Sequence, residues 1–205
     1  LRQVLRPKSF SRNDRIFLQG DSPEAIYFIA SGRVKISRLT PDGNEIILCV
    51  RCPNDIFCPV PLLDQGDQLG TAIALTDGKL FWIEREIFSN LCTRFPELLS
   101  LVQSDCLSEV RRLLGRMESY AYRSIRERLA LALLEAMERN RSQGISVDFV
   151  HLTQADLAGI VGASRESISR TLSQFEDQGI LKTCRGRIQV LSLIHISEPT
   201  RLRRI

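Results

Sequence analysis

From Arg15 to Glu84 the chain alternates short apolar runs with turn formers. Gly20-Asp21-Ser22-Pro23, Ser31-Gly32, Pro41-Asp42-Gly43-Asn44, Pro53-Asn54 and Asp77-Gly78 punctuate strand-like segments. Short strands with frequent turns predict a sandwich or jelly roll. Glu84 to Leu91 then predicts a short helix. From Phe95 the period changes. Leu99, Val102, Cys106, Val110, Leu113, Met117 and Tyr120 recur at intervals of three and four residues. That is a helical seam of coiled-coil type, suited to a partner helix, although the same stripe can pack a long helix on its own β-domain. Ser124 to Arg139 predicts a further amphipathic helix with Ile125, Leu129, Ala132, Leu133 and Met137 on its inner face, and Arg123 and Arg126 fall at the junction.

Leu152 to Glu176 carries the clearest local pattern: two short helices and a tight turn. Thr153 and Asp156 form a T-x-x-D capping pattern ahead of Leu157, Ile160 and Val161. Gly162 supplies the positive φ that ends the first helix, and Ser164 caps the second. Ala158 and Gly162 are small where the helices cross, and Ile168, Leu172 and Phe175 form the buried side of the second helix. Its other side shows Arg165, Glu166, Ser169 and Arg170. Arg matches guanine O6 and N7, Glu accepts from cytosine N4, and Ser serves either role, so these four are candidate base readers in a major groove. A mixed-charge surface helix is the plain alternative; both caps, the tight turn and a hairpin directly after the second helix weigh against it. Gly179-Ile180-Leu181-Lys182-Thr183 and Arg187-Ile188-Gln189-Val190 predict that hairpin, with Cys184-Arg185-Gly186 as its turn, a wing. Thr153, Gln154, Ser164, Ser167, Lys182, Arg185 and Arg187 are candidate phosphate contacts, which would position the protein without reading sequence.

The stretch SRESISRTL with the hairpin after it resembles the C-terminal module of the CRP/FNR family of bacterial transcription regulators. Ile16-Phe17-Leu18-Gln19-Gly20-Asp21 and Ala25-Ile26-Tyr27-Phe28-Ile29-Ala30-Ser31-Gly32-Arg33-Val34 are similar to that family's N-terminal β-roll, and Asp55-Ile56-Phe57 to the approach to its ligand loop. The resemblance runs through residues 1–191 in one register. It implies an α+β fold: a double-stranded β-helix (jelly-roll, cyclic-nucleotide-binding-like) effector domain over 1–94, a dimerisation helix over 95–122, and a winged helix-turn-helix over 123–191. It also implies a homodimer with Leu99, Val102, Cys106, Val110, Leu113 and Met117 at its seam. Such a dimer would bind a two-fold symmetric DNA site in the cytoplasm, with RNA polymerase as a further partner. The same β-roll occurs in kinases and channels, so the alternative is an effector module that regulates a partner protein. No catalytic role is expected. The chain has no Gly-rich phosphate loop and no nucleophile constellation, and carboxylates such as Glu84 and Glu86 suit a solvated helix start.

Composition narrows the reading. A net charge of +4 is only mildly basic, which suits a localised nucleic-acid footprint. No apolar run is long enough to cross a bilayer, no secretory signal is present, and no membrane partner is expected. The six cysteines suggest a reducing cytoplasm rather than a disulfide framework. The start at Leu1 predicts that a short N-terminal piece is missing. Residues 192–205 depart from the family after the wing, and LSLIHISEPTR resembles translated sequencing-adapter read-through. Arg201, Arg203, Arg204 and Glu198 leave +2 of the charge in that tail, so it is not read as a DNA-binding arm.

The effector is less legible. In cyclic-nucleotide-binding relatives a Gly-Glu-Leu loop and a later Arg-Ser or Arg-Thr pair hold ribose and phosphate. Here those places read Cys58-Pro59-Val60 and Gln68-Leu69, which predicts no useful cAMP affinity. Cys49, Cys52 and Cys58 have the spacing of cluster-ligating cysteines in oxygen-sensing relatives, with Cys92 or Cys106 as a fourth thiolate. In those relatives the run precedes the β-roll, whereas here it lies inside it. Residues 49 and 52 of a regular strand would also face opposite sides. Structural thiols, an iron–sulfur or metal site, and a redox switch all remain open. Haem is not expected, since His151 and the tail's His195 are the only histidines.

Overall fold

The computed structural model describes residues 4–57, 59–142, 149–184 and 187–192, and two compact units divide it, residues 1–114 and 115–205. The division falls inside the long helix, not at either end of it.

In the first unit, eight strands form two antiparallel four-stranded sheets. One has the order β1 (Arg6–Phe10), β8 (Gly78–Glu84), β3 (Ala25–Ser31), β6 (Ile56–Phe57). The other runs β2 (Arg15–Phe17), β7 (Thr71–Ala74), β4 (Val34–Leu39), β5 (Glu45–Arg51). Alternate residues of both sheets turn inward, and Phe10, Ile29, Val34, Phe57, Ala72, Ala74 and Leu80 meet in one core between them. Gly32 makes a tight corner possible. Its φ is +84°, and a Cβ there would lie 2.6 Å from the Asp77 carbonyl oxygen. The jelly roll expected from the turn spacing is therefore present, with two additions. Strand β1 lies ahead of the first strand read from the sequence, and a short helix α1 (Pro59–Asp64) stands where a loop was expected.

Helix α2 (Arg85–Arg94) extends the predicted short helix, and α3 runs Pro96–Tyr122. Proline fits the first helical position because its missing N–H has no intrahelical role there. A second cluster joins Ile26, Ile83 and Phe88 to Val102 of α3, with Leu91, Cys92 and Leu98 packed around them.

In the second unit, α4 (Ile125–Ser142) buries Leu129, Ala130, Leu133 and Met137, so Ala130 takes the inner place expected of Ala132. Buried Asn140 donates from Nδ2 to the Phe149 carbonyl at 2.8 Å, which fixes β9 (Phe149–Val150). Helices α5 (Gln154–Val161) and α6 (Arg165–Asp177) come next, then β10 (Leu181–Cys184) and β11 (Arg187–Val190). The wing is a three-stranded sheet, β10-β11-β9. Cys184 pairs with Arg187 as a strand residue rather than a turn residue. Arg185, Cys58 and the 193–205 tail lie outside the described residues.

Candidate nucleic-acid interface and effector cavity

The helix-turn-helix forms as its local chemistry dictates. Thr153 Oγ1 accepts from the Asp156 N–H at 3.1 Å, and Asp156 Oδ2 accepts from the Thr153 N–H at 3.0 Å, completing a capping box. Gly162 ends α5 at φ +65°. Ser164 accepts from the Ser167 N–H at 3.2 Å and opens α6. Ile168, Leu172 and Phe175 are buried, while Arg165, Glu166 and Arg170 are exposed and Ser169 half-buried beside them. Glu166 is held below the usual carboxylate range. It accepts from its own backbone N–H at the helix start, then from the Ser164 hydroxyl, and Arg165 and Arg170 add attraction. Two cations and a fully ionised acceptor thus stand on one edge, the set needed to meet G·C pairs.

Small residues act differently from the sequence expectation. Gly162 does not serve the α5–α6 crossing; a Cβ on it would meet the Tyr120 ring at 3.1 Å, and Tyr120 Oη donates to the Ile160 carbonyl at 3.1 Å. The buried small residue of α5 is Gly159. Arg126, placed at the domain junction from sequence, stacks on Phe175 at 4.5 Å and donates to Gln178 Oε1 at the far end of α6.

The candidate phosphate contacts separate into two groups. Thr153 donates its only O–H to Asp156 Oδ2 at 2.7 Å, so its hydroxyl is a cap and is not free to donate to a phosphate. Ser164 Oγ lies 3.0 Å from Ser167 Oγ, within the same cap. Lys182 and Arg187 are exposed on the wing, and Gln154 is half-exposed at the start of α5. Arg187 stacks on Phe149 at 4.5 Å, which limits its reach. Sequence reasoning missed the residue that aims the wing. Glu176 Oε1, near the end of α6, accepts from both the N–H and the hydroxyl of Thr183 on β10. Those two donors hold its carboxyl below the usual range. The signal was a carboxylate seven residues ahead of a strand threonine, a pattern common enough to pass unnoticed.

The proposed seam on α3 needs correction. Val102 is 0% exposed and belongs to the β-domain's own core, and Leu99 and Cys106 are half-buried. The apolar residues facing outward are Leu101, Leu107 (63% exposed), Val110, Leu114 and Met117 (65%), with Leu113 at the margin. Leu107, Val110, Leu114 and Met117 keep a 3-4-3 spacing, so the free stripe shares Val110 and Met117 with the predicted seam, and only the seam's first half, Leu99, Val102 and Cys106, turns inward.

In the first unit, β5, α1 and α3 flank a half-open apolar cavity of about 200 Å³ lined by Phe17, Phe57, Pro59, Leu69 and Val110 among others. Gln68 and Leu69, which replace the phosphate-binding pair, both face it. Its one basic lining residue among the described residues is Arg51, 5% exposed. Arg51 Nη2 lies 3.0 Å from Glu109 Oε2 and Nη1 3.7 Å from Asp105 Oδ2; Arg112 also donates to Glu109. Burial works against the Arg51 charge, but the Cys49 side chain, Glu109, Asp105 and Asp55 outweigh it and raise its pKa. The Arg51 charge is therefore already matched by carboxylates of the chain itself.

Among the described residues the cysteines do not converge. Cys49 and Cys106 line the cavity, Cys52 is buried beyond β5, and Cys92 packs beside Phe88. Among the described residues, which leave out Cys58, no three His, Cys, Asp or Glu side chains are placed to hold a metal ion. Burial raises the Cys92 thiol, and burial with Asp105 raises Cys106, the reverse of what a reactive thiolate needs.

A jelly roll, a long helix and a winged helix-turn-helix together define the architecture of a DNA-binding regulator. Residues 7–95 match the cyclic nucleotide-binding domain, and residues 127–205 match the Crp-like helix-turn-helix domain. The fold is that of FixK2 from Bradyrhizobium japonicum (TM-score 0.83, 22% identity, covering 95% of this chain and 96% of that one). The CRP-like cAMP-activated global transcriptional regulator of Mycobacterium tuberculosis is 29% identical over 184 residues, 89% of this chain and 82% of that protein. The cyclic AMP receptor protein of Thermus thermophilus is 30% identical over 175 residues, 85% of this chain and 79% of that protein. The chain belongs to the CRP/FNR family of bacterial transcription regulators. Among the described residues, no helix is long and apolar enough to cross a membrane.

Proposed function

We propose that this regulator acts as a homodimer on a two-fold symmetric DNA site, reads each half-site with Arg165, Glu166, Ser169 and Arg170, and answers to a signal other than cAMP. The observation that carries the reading is the exposed edge of α6, three charged side chains and a serine beside a wing latched to the same helix. The outward stripe of α3 supports dimerisation, since apolar side chains at heptad spacing gain by pairing. Two recognition helices related by a dyad meet half-sites about one DNA turn apart. Transcriptional output then passes through RNA polymerase, and the signal acts by favouring one dimer arrangement over another. The alternative, an effector module for a partner protein, leaves the base-reading edge without a role.

Two relatives are named for cAMP, yet the cavity here sets Pro59, Gln68 and Leu69 where ribose and phosphate contacts would be needed. Calorimetry should show no micromolar cAMP binding. Selection from random duplexes should return a palindrome with G·C pairs in each half. Retention of every duplex equally, with the signal state varied, would refute the DNA reading.

A further inference from the structure

We infer that Tyr120 is a positioning residue for DNA binding: its phenol ties the turn ahead of the recognition helix to the last turn of α3, and so enforces the spacing between the two half-sites. The inference rests on the dimer reading above. Residues 115–122 of α3 belong to the second unit, so the helix that carries the outward apolar stripe ends inside the DNA-binding module. There Tyr120 Oη donates to the Ile160 carbonyl, forty residues on, at 3.1 Å. Ile160 lies in the last turn of α5, where carbonyls have no partner within the helix, and the phenol satisfies one of them. The ring rests on Gly162. A Cβ at that residue would sit 3.1 Å from Cε1 and 3.4 Å from Cζ, so a missing side chain at positive φ lets the phenol close on the backbone. The Arg128 guanidinium of α4 lies 5.2 Å from the ring centre, within cation–π range.

The turn held in this way opens the recognition helix. Ser164 caps α6 two residues after Gly162, and Arg165 comes next, so a shift of the turn is a shift of the base-reading edge. Arg126, just past the α3–α4 corner, holds the opposite end of α6 through Phe175 and Gln178. Two side chains that flank the corner therefore fix both ends of the recognition helix to the end of α3. A stiff link carries a penalty when half-sites are wrongly spaced. One base pair more or less moves a half-site by about 3.4 Å and turns it by roughly 35°. A dimer reaches the displaced half-site by breaking the link. The net worth of the Tyr120 hydrogen bond then appears as discrimination between spacings, about fivefold for one ordinary bond.

Fluorescence anisotropy on the full chain tests this with three duplexes: the palindrome returned by selection, and the same palindrome with one base pair inserted or removed at its centre. The unaltered protein should prefer the selected spacing. Tyr120→Phe keeps the ring and loses only the O–H, and should lower that preference about fivefold. Tyr120→Leu also takes the ring off Gly162 and should lower it further; should that variant fail to fold, the phenylalanine variant carries the test alone. A role confined to stability would lower the melting temperature and leave the spacing preference as it was. Equal binding of the unaltered protein to all three duplexes would remove the dimer reading and this inference with it. A preference that survives intact in Tyr120→Phe would overturn the inference and leave the dimer reading standing.

Discussion

Replacing Glu176 by alanine removes the acceptor that ties the wing to the recognition helix. Glu176 Oε1 takes two hydrogen bonds from Thr183, one from backbone and one from the hydroxyl. A hydrogen bond to a charged group contributes about 1.5–3 kcal/mol net. At a half-exposed site the pair together is worth about 2 kcal/mol, roughly a thirtyfold shift toward an unlatched wing. Leu181 and Ile188 stay buried and β10 stays paired with β11, so the hairpin should persist and lose its aim rather than unfold. Lys182 and Arg187, the proposed phosphate contacts of the wing, would then be carried away from the DNA. Each lost contact lowers the slope of log affinity against log salt by about 0.9, so with both wings of the proposed dimer affected the slope should fall by about 3.6. Glu176→Gln keeps an acceptor and should restore most of it. Titration gives a second check. Because the folded carboxyl lies below its ordinary value, the latch is complete above about pH 4.3 and is lost as pH falls through the lower folded value. Protection of the Thr183 amide from exchange should take the same course. A wild-type salt slope and wild-type Thr183 exchange in the alanine variant would refute the latch.

Three further outcomes are expected. Arg170→Ala should cost about 1–3 kcal/mol and relax preference at one base pair, read by competition among operator variants; an equal loss on all sequences would make it a phosphate contact. Met117→Glu, on the outward stripe of α3, should shift sedimentation from dimer to monomer without lowering the melting temperature of the β-domain core, to which it does not belong. Gly162→Ala should destabilise the second unit by about 1–2 kcal/mol, since it forces a Cβ into positive φ against the Tyr120 ring, and thermal unfolding would show this.

The helix-turn-helix was legible because its determinants are local. Thr153 and Asp156, Gly162 and Ser164 sit within a few residues of the groups they satisfy, and the Ile168–Leu172–Phe175 stripe repeats at helical period. Strand β1 was not, because RPKSF carries one inward residue and is defined by pairing with β8, about seventy residues away. The α3 seam was half legible. A helix serving its own core on one side and open on another carries apolar residues around much of its girth, and spacing alone does not say which edge turns inward. Arg51 carried no signal at all. Its strand reads as an ordinary alternation, and its partners lie on a helix more than fifty residues later.

Asp105 and Glu109 stand four residues apart on α3, one helical turn, and both reach for the same guanidinium. A fractional slide of the helix past β5 would pull both carboxylates out of range at once. A slide of a whole turn, about 5.4 Å, would bring one of them into the place vacated by the other. The strand and the helix are thereby geared to each other, and intermediate offsets are the ones the electrostatics penalise most.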